Sequence, residues 1–218
     1  MNQDQTSKDG AGATEPRPTV IGAVLVLGHA VKHLFNSGFF VVLPELQSGL
    51  GLSNSAIGTL STIRNIGGGL ANAPSGYLAD RFSDRRAMIL GIAMLGVGVS
   101  HLLMGTVSTY WLLVTTATLG FVSSDFWHPP AIAALSQKFA SRKGFAIALH
   151  GMGASIGESL GPITVGALLG FFLWNTVLQA SLVPALVTAV LVWLLLRGLQ
   201  GNSGNSDSFR TYLTSVIR

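Results

Sequence analysis

Residues 76–86 read GYLADRFSDRR, and they concentrate charge in a chain that has little of it elsewhere. Five charged residues fall between Asp80 and Arg86, whereas only 10% of the 218 residues are Asp, Glu, Lys or Arg. A soluble domain carries about 25% charged residues, so this chain has too few to cover a water-facing surface. The composition, with a mean hydropathy of +0.53, therefore predicts a membrane protein.

Two segments before the charged part of this stretch and four after it are apolar enough to cross a bilayer, which takes about 20 residues in a helix. Lipid offers no partner to backbone polar groups, so segments of this length must be α-helices. The sequence predicts an all-α protein with a disordered tail at 1–19, a six-helix transmembrane domain at 20–197, and a linker with a short amphipathic helix at 198–218. The predicted spans are residues 20–46, 53–79, 87–106, 110–136, 144–170 and 174–196.

The positions of the basic residues predict the orientation. Every Lys and Arg except Lys32 and Arg64 lies in the N-terminal tail, in the connection after span two or span four, or after span six. Loops rich in Lys and Arg stay in the cytoplasm. We therefore expect a multi-pass protein of the plasma (inner) membrane with both termini cytoplasmic. The pI of about 9.9 then reflects topology rather than nucleic-acid binding.

Ionisable residues near the middle of the spans are candidates for function, because a charge in lipid costs several kcal/mol. Their charged members lie within about 5 Å of the span centres at a rise of about 1.5 Å per residue, which is the depth of binding sites in secondary transporters. The predicted substrate-binding residues are His29, Lys32, His33, Asn36, Arg64 and His128, and the predicted proton-coupling residues are Asp125 and Glu158. An alternative is that the charges only pair internally and hold the helices together: Lys32 with Asp125, and Arg64 with Glu158.

The stretch that begins at Gly76 resembles the loop 2–3 signature of the major facilitator superfamily of secondary transporters. It departs from the usual pattern at Ser83, where a second glycine is common. The resemblance implies that the six spans form one half of that fold, as two three-helix inverted repeats. It also implies a cytoplasmic gate at this loop, formed by Gly76, Asp80, Arg81, Arg85 and Arg86.

Span five contains GESLGPITVG, in which Gly157, Gly161 and Pro162 predict close helix packing and a bend. This segment partly resembles the glycine–proline motif of drug/proton antiporters of the superfamily. The longer run from Phe126 to Pro162 resembles the fosmidomycin-resistance branch through its His128-Pro129 pair. It departs from that branch at Pro130, where an acidic residue is usual, so the substrate is not transferred from the resemblance.

These features predict a secondary active transporter, or its N-terminal half, that moves a small organic, anionic solute or drug coupled to protons. Lys32 and Arg64 favour an anion, because a phosphonate or carboxylate could neutralise them. Export, as in a drug-resistance antiporter, is the expected direction. No cofactor and no resident metal are expected. The expected partners are the bilayer, the substrate, protons, and a second six-helix half or a homodimer.

Other functions remain open at this stage. A divalent metal or metal-chelate carrier is suggested by ligand-type side chains, although Lys32 and Arg64 would repel a divalent ion; the side chains are His29, His33, Asp125 and His128. A truncated, non-transporting membrane subunit is suggested by length, since transporters of this family have two six-helix halves. An intramembrane enzyme is disfavoured, because the chain has neither an H-E-x-x-H motif nor a serine in a nucleophile turn.

Overall fold

The structure, a computed structural model, describes residues 14–201 and 208–217, which form helices and no strand. Residues 1–13, 202–207 and 218 lie outside the described part, and with them most of the predicted tail, Lys8, Arg218 and the middle of the linker. Two single turns of 3-10 helix lie at Ser83–Arg85 and Ala140–Arg142. The helices are α1 (Pro18–Gly49), α2 (Asn54–Arg81), α3 (Arg86–Met104), α4 (Tyr110–Asp125), α5 (His128–Lys138), α6 (Lys143–Leu169), α7 (Trp174–Ala180), α8 (Leu182–Leu196) and α9 (Phe209–Ile217).

The helices follow the six predicted spans, with span four divided into α4 and α5 and span six into α7 and α8. Among the described residues, length and composition mark three segments as able to cross a membrane: Pro18–Gly49, Ser83–Met104 and Trp174–Leu196. Span four contains no single long helix, since α4 has 16 residues and α5 has 11. The two other long helices that follow predicted spans are α2 and α6. They carry buried polar side chains, such as Arg64 and His150, that lower their mean hydropathy.

The break between α4 and α5 follows from two consecutive prolines. Pro129 and Pro130 have no backbone N–H, so the carbonyls of Asp125 and Phe126 lose their helical partners. The hydroxyl of Ser75 in α2 donates a hydrogen bond of 2.9 Å to the Phe126 carbonyl. A neighbouring helix thus satisfies one carbonyl that the prolines expose, as irregular backbone at membrane depth requires.

The helices pack in a pattern that maps onto itself when the two halves of the chain are exchanged. Among the most extensive contacts are those that join α1 to α6, α2 to α4 and α3 to α8. Exchanging spans one, two and three with spans four, five and six turns the α1–α6 contact into the α4–α2 contact and leaves α3–α8 unchanged. Two three-helix repeats produce this pattern.

Two clusters of buried apolar side chains stabilise the bundle, and α1 contributes to both. The first includes Ile21, Leu25 and Trp127, and the second includes Val42 and Leu46. The polar residues of α1 lie among these apolar residues, since Phe35 of the first cluster falls within the polar segment 29–36. The fold therefore buries the predicted polar face inside the bundle.

Large apolar side chains are exposed on the outside of α6 and α8, including Ile163 and Val183 at 67% and 65% exposure. Soluble monomers rarely expose continuous apolar faces of this kind. The outer faces of these helices are therefore suited to lipid or to another helical unit.

Candidate substrate and proton site

A cluster of four histidines lies where α1, α5 and α6 meet. His29 and His150 are 2% and 4% exposed, and their rings stack in parallel with centroids 3.6 Å apart. The rings of His33 and His128 approach His29 edge-on, with centroid distances of 4.6 and 5.0 Å. The helix face that the sequence marks as polar is therefore the face that contacts α5 and α6.

Glycines allow α6 to approach α1 closely enough for these contacts. A Cβ atom added at Gly161 would lie 2.6 Å from the Leu34 carbonyl oxygen, and one added at Gly153 would lie 2.6 Å from a second backbone carbonyl of α1. A Cβ at Gly157 would overlap the Ala30 carbonyl oxygen. These obstacles are backbone atoms, so only residues without a Cβ permit this helix spacing.

Hydrogen bonds connect two of the histidines to Glu158. The Nδ1 atom of His29 donates to the backbone carbonyl of His150 at 2.7 Å. The Nε2 atoms of His29 and His33 are 3.1 Å apart, and Nδ1 of His33 is 3.0 Å from Oε1 of Glu158. The result is a continuous chain of polar contacts from a buried carbonyl, through two imidazoles, to a carboxylate.

Lys32 is buried, and its ammonium group contacts side chains of the same polypeptide. Its Nζ atom contacts Nε2 of His128 and lies 3.9 Å from Oδ1 of Asp125. The internal Lys32–Asp125 pair expected under the alternative interpretation is therefore present. The second expected pair is not, because Glu158 contacts His33 rather than Arg64.

Arg64 sits in a box of phenyl rings. Its side chain is 3% exposed, and its guanidinium carbon lies 4.3 to 5.0 Å from the ring centroids of Phe39, Phe40 and Phe121. Its Nη1 atom has no hydrogen-bond partner among the described residues. An open cavity of about 280 Å³ lies beside it, lined by His33, Asn36, Ser37, Phe40, Arg64, Phe121 and Glu158.

Arg86, one of the predicted gate residues, forms its hydrogen bonds with residues of this same polypeptide. Its side chain is fully buried. Nε donates to the Ala79 carbonyl at 3.2 Å, and Nη1 donates to Oε1 of Gln137 at 2.7 Å. Arg86 therefore joins the α2–α3 turn to the end of α5, whereas Arg81 and Arg85 are exposed.

Two of the other gate residues, Gly76 and Asp80, lie near the C-terminal helix α9. Gly76 is buried, and a Cβ atom there would overlap the hydroxyl of Tyr212. Burial, together with the negative charge of Asp80, raises the pKa of Tyr212. At the same end of the bundle, Lys138 donates a hydrogen bond to Glu15 and holds the pKa of that carboxyl below its ordinary value. The predicted amphipathic helix is thus a helix that packs on the gate loop; the side chains of residues 215–217 lie outside the described part.

Comparison with known proteins settles the family. The model of the Major Facilitator Superfamily matches residues 25–218. The chain belongs to the major facilitator superfamily. Proteins of this superfamily act in membranes on small molecules as transporters and not as enzymes, so the expectation of a non-enzymatic membrane protein is confirmed.

The relatives of this chain include a membrane sensor protein and a drug-resistance protein. The membrane sensor protein UhpC of Escherichia coli is 29% identical over 174 residues, which are 78% of this chain and 38% of that protein. The fosmidomycin resistance protein of Escherichia coli is 22% identical over 161 residues, 73% of this chain and 39% of that protein. The second match supports the resemblance seen in the sequence. The chain spans under half the length of both proteins.

A solved structure shows the same fold. The crystal structure of a bacterial homolog of the human lysosomal transporter Spinster, in an inward-facing and unoccupied conformation, matches with a TM-score of 0.69. The match has 18% sequence identity and covers 90% of this chain and 47% of that one. The all-α fold of this superfamily member is therefore confirmed.

The structure brings most of the predicted site residues of this superfamily member together. Asn36 lies at the cavity wall and donates to Oγ of Ser124 at 2.8 Å. Arg64 lines the same cavity, together with His33 and Glu158 of the cluster. The remaining members form the cluster itself: His29, Lys32, His33, Asp125, His128 and Glu158.

Sequence reasoning missed His150 as a site residue. Its ring stacks on His29, and its carbonyl accepts the His29 hydrogen bond. A signal was available, because His150 precedes Gly153, Gly157 and Gly161 by 3, 7 and 11 residues, which places all four on one face of α6. The phenyl box of Arg64 carried no comparable signal, because its three rings come from two different helices.

Proposed function

We propose that the chain is the N-terminal half of a secondary active transporter, and that Arg64 binds an anionic group of a small organic solute. One observation carries the proposal: a buried guanidinium has a donor, Nη1, without a hydrogen-bond partner among the described residues, and it lies at the wall of an open cavity.

The environment of Arg64 favours an anion over a neutral ligand. Phenyl rings attract a cation by their π faces but offer no acceptor to its N–H groups. A buried donor without an acceptor costs about 1–3 kcal/mol. A carboxylate, phosphate or phosphonate oxygen would supply the acceptor, in a charge-assisted and often bidentate contact. Lys32 has less capacity, because it is already engaged by His128 and Asp125.

Proton coupling is proposed to act through Asp125 and Glu158. Both carboxyl groups lie beside cationic or proton-carrying side chains in the same cluster as the cavity. Protonation of either one removes a negative charge near the anion site and so strengthens anion binding. Asp125→Asn or Glu158→Gln should therefore make solute uptake into proteoliposomes less dependent on pH. A variant whose pH dependence is unchanged would remove that residue from the proton path.

A metal carrier is the second candidate, and one observation favours it. The ring nitrogens of His29, His33 and His128 lie within 4.8 Å of one another. The contact between Lys32 Nζ and His128 Nε2 opposes it, because an ammonium group fills the position of a third ligand and repels a divalent ion. The anion is therefore the substrate class we propose.

We further propose that the chain acts in the plasma (inner) membrane with both termini in the cytoplasm, paired with a second six-helix unit or with a copy of itself. Loop charge supports the orientation. Two observations support a partner. The chain spans only 38% to 39% of the length of its relatives. The side chain of Glu158 is 56% exposed at the edge of the cavity, where a second unit could cover it. Alternating access needs two such halves around a central site.

Anion binding by Arg64 variants tests the proposal. Purified chain in lipid nanodiscs would be titrated calorimetrically with methylphosphonate, acetate and inorganic phosphate. Loss of a charge-assisted contact of about 1.5–3 kcal/mol predicts that Arg64→Gln weakens binding of the preferred anion about 10- to 150-fold. Arg64→Lys should lose less, because it keeps the charge but not the planar donor pair. Exposed Arg142→Gln, outside the predicted site and gate, is the matched control and should bind as the native chain does.

Two results would contradict the proposal. One is equal anion affinity in Arg64→Gln and in the native chain. The other is transport of organic cations alone, unaffected by Lys32→Ala. The oligomeric state of the same sample, together with proton flux in proteoliposomes, shows whether the chain transports by pairing or is a non-transporting subunit.

A further inference from the structure

We infer that His29, His33 and Glu158 together hold one proton more than two neutral imidazoles and a carboxylate carry, and that His29 positions this additional proton. The inference deepens the proposed function, on which its role in transport rests, because it identifies His33 as a proton carrier and His29 as a positioning residue. It follows from a count of hydrogen atoms along three contacts.

Each contact in the chain needs one hydrogen. A carbonyl can only accept, so the His150 carbonyl requires a proton on Nδ1 of His29. The Nε2 atoms of His29 and His33, 3.1 Å apart, require one proton between them, since two lone pairs at that distance repel. The contact of 3.0 Å between His33 Nδ1 and Glu158 Oε1 requires a third.

Neutral imidazoles and an ionised carboxylate cannot supply three hydrogens. Each neutral imidazole carries one N–H, and a carboxylate carries none. The arrangement therefore holds one additional proton, which can be placed on His29 or His33 as an imidazolium, or on Glu158 as a carboxylic acid. All three placements satisfy the same three contacts.

The same contacts let the proton move. When the carboxylic acid of Glu158 gives its proton to Nδ1 of His33, the proton on Nε2 of His33 can pass to Nε2 of His29. The glutamate becomes a carboxylate, His33 stays neutral and His29 becomes an imidazolium. One positive charge has shifted from the cavity edge to the buried end, and no further reactant is needed.

Exposure falls along the chain in the same order. The side chains of Glu158 and His33 are 56% and 17% exposed, and His29 is 2% exposed. The proton therefore exchanges at Glu158, next to the cavity. The charged and titratable groups that face the three residues are Lys32 of α1, Arg64 of α2, Asp125 of α4, His128 of α5 and His150 of α6. The two cations oppose the additional proton and Asp125 favours it.

The count is measured on the full chain without any substrate. The histidines would be labelled with ¹⁵N, and long-range ¹H–¹⁵N NMR at neutral pH in nanodiscs reports which ring nitrogens carry hydrogen. Infrared difference spectra against Glu158→Gln report a carboxylic acid at Glu158. We expect N–H and O–H groups of His29, His33 and Glu158 to total three. His101 is the internal reference, because its Nδ1 is 2.9 Å from the Val97 carbonyl and it should carry one N–H.

Two variants separate proton storage from structure. In Glu158→Gln the amide N–H can donate to Nδ1 of His33, so all three contacts persist with neutral groups, the two rings carry two N–H groups, and no carboxylic acid remains. In His29→Phe the ring stack on His150 is kept, but His33 loses its acceptor and needs only one N–H. Both variants should lose the additional proton. Glu158→Gln should unfold as the native chain does, whereas His29→Phe should be less stable, because it leaves the buried His150 carbonyl without its donor.

Other outcomes overturn the inference. A total of two in the native chain, with Glu158 ionised, would mean that no proton is stored. Zinc chloride that displaces the one hydrogen between the two Nε2 atoms, with EDTA reversing the change, would mean that the space between them is a metal site. Because none of these readouts requires transport, a count of three in a chain that binds no anion would refute the proposed function and leave the inference standing.

Discussion

Replacing Gly157 by alanine tests whether the spacing of α1 and α6 holds the site together. The added Cβ would lie 2.9 Å from the carbonyl carbon of Ala30 and 2.9 Å from Cβ of His33, and closer still to the Ala30 carbonyl oxygen. Ordinary contacts of a Cβ begin at 3.4 Å. The helices must therefore separate by at least about 0.5 Å, because the obstructing atoms belong to backbone and to a Cβ that cannot rotate away.

This displacement acts on stability and on the site together. Overpacking of this kind costs about 1–3 kcal/mol. Moving α6 outward also lengthens the His33–Glu158 contact from 3.0 Å to a distance at which a hydrogen bond is lost. We expect Gly157→Ala to lower the free energy of unfolding by about 1–3 kcal/mol and to remove the proton held by His33 and Glu158.

The matched control is Gly166→Ala in the same helix. A Cβ at Gly166 would meet nothing within 4 Å, and alanine is the better helix former by about 1 kcal/mol. Unfolding of both variants would be followed by circular dichroism in mixed micelles of increasing SDS fraction. Equal stability of the two variants would refute the argument that backbone contact at Gly157 sets the helix spacing.

Two further predictions concern the end of the bundle at the α2–α3 turn. Arg86→Lys should lower the free energy of unfolding by about 1–3 kcal/mol, because a single ammonium cannot donate to both Ala79 and Gln137 in the guanidinium geometry. Unfolding in SDS measures this loss of stability. A loss no larger than that of exposed Arg81→Lys would contradict the prediction. The Glu15–Lys138 contact lowers the pKa of Glu15, so the contact should persist above the unfolded pKa of 4.5 and be lost as pH falls through the lower folded pKa. The chain has no cysteine, so a pair of cysteines placed beside the two residues can carry spin labels. The distance between the labels should increase on acidification, and in Glu15→Gln it should be increased already at neutral pH.

Periodicity along single helices predicted the spans and the polar face of α1, because both depend on one helix at a time. It could not predict which charges pair. Glu158 contacts His33 and not Arg64 because the glycines of α6 set the rotation and distance of that helix against α1. A pairing between helices depends on this relative position, which no single span encodes.

The gate loop shows the same limit. The signature around Asp80 and Arg86 predicted a location and a family, and the family match confirms the latter. It did not predict that Arg86 is buried and bonded within the chain, because Gln137 lies at the end of α5, 51 residues further along the sequence. His150 could have been placed from its spacing to the glycines of α6, so its omission was an error of reasoning rather than of information.

The joint in span four makes α5 a short lever. Pro129 and Pro130 withhold two helical hydrogen bonds beside Phe126, so bending there is less resisted than within α4. The lever runs about 15 Å, at about 1.5 Å per residue, from His128 beside the joint to the α5 end that holds Gln137. A tilt of about 10° moves that end by about 2.6 Å and leaves His128 almost in place. A small adjustment at the proton cluster is thereby enlarged at the bond between the buried Arg86 and Gln137, at the end of the bundle that contains the α2–α3 turn.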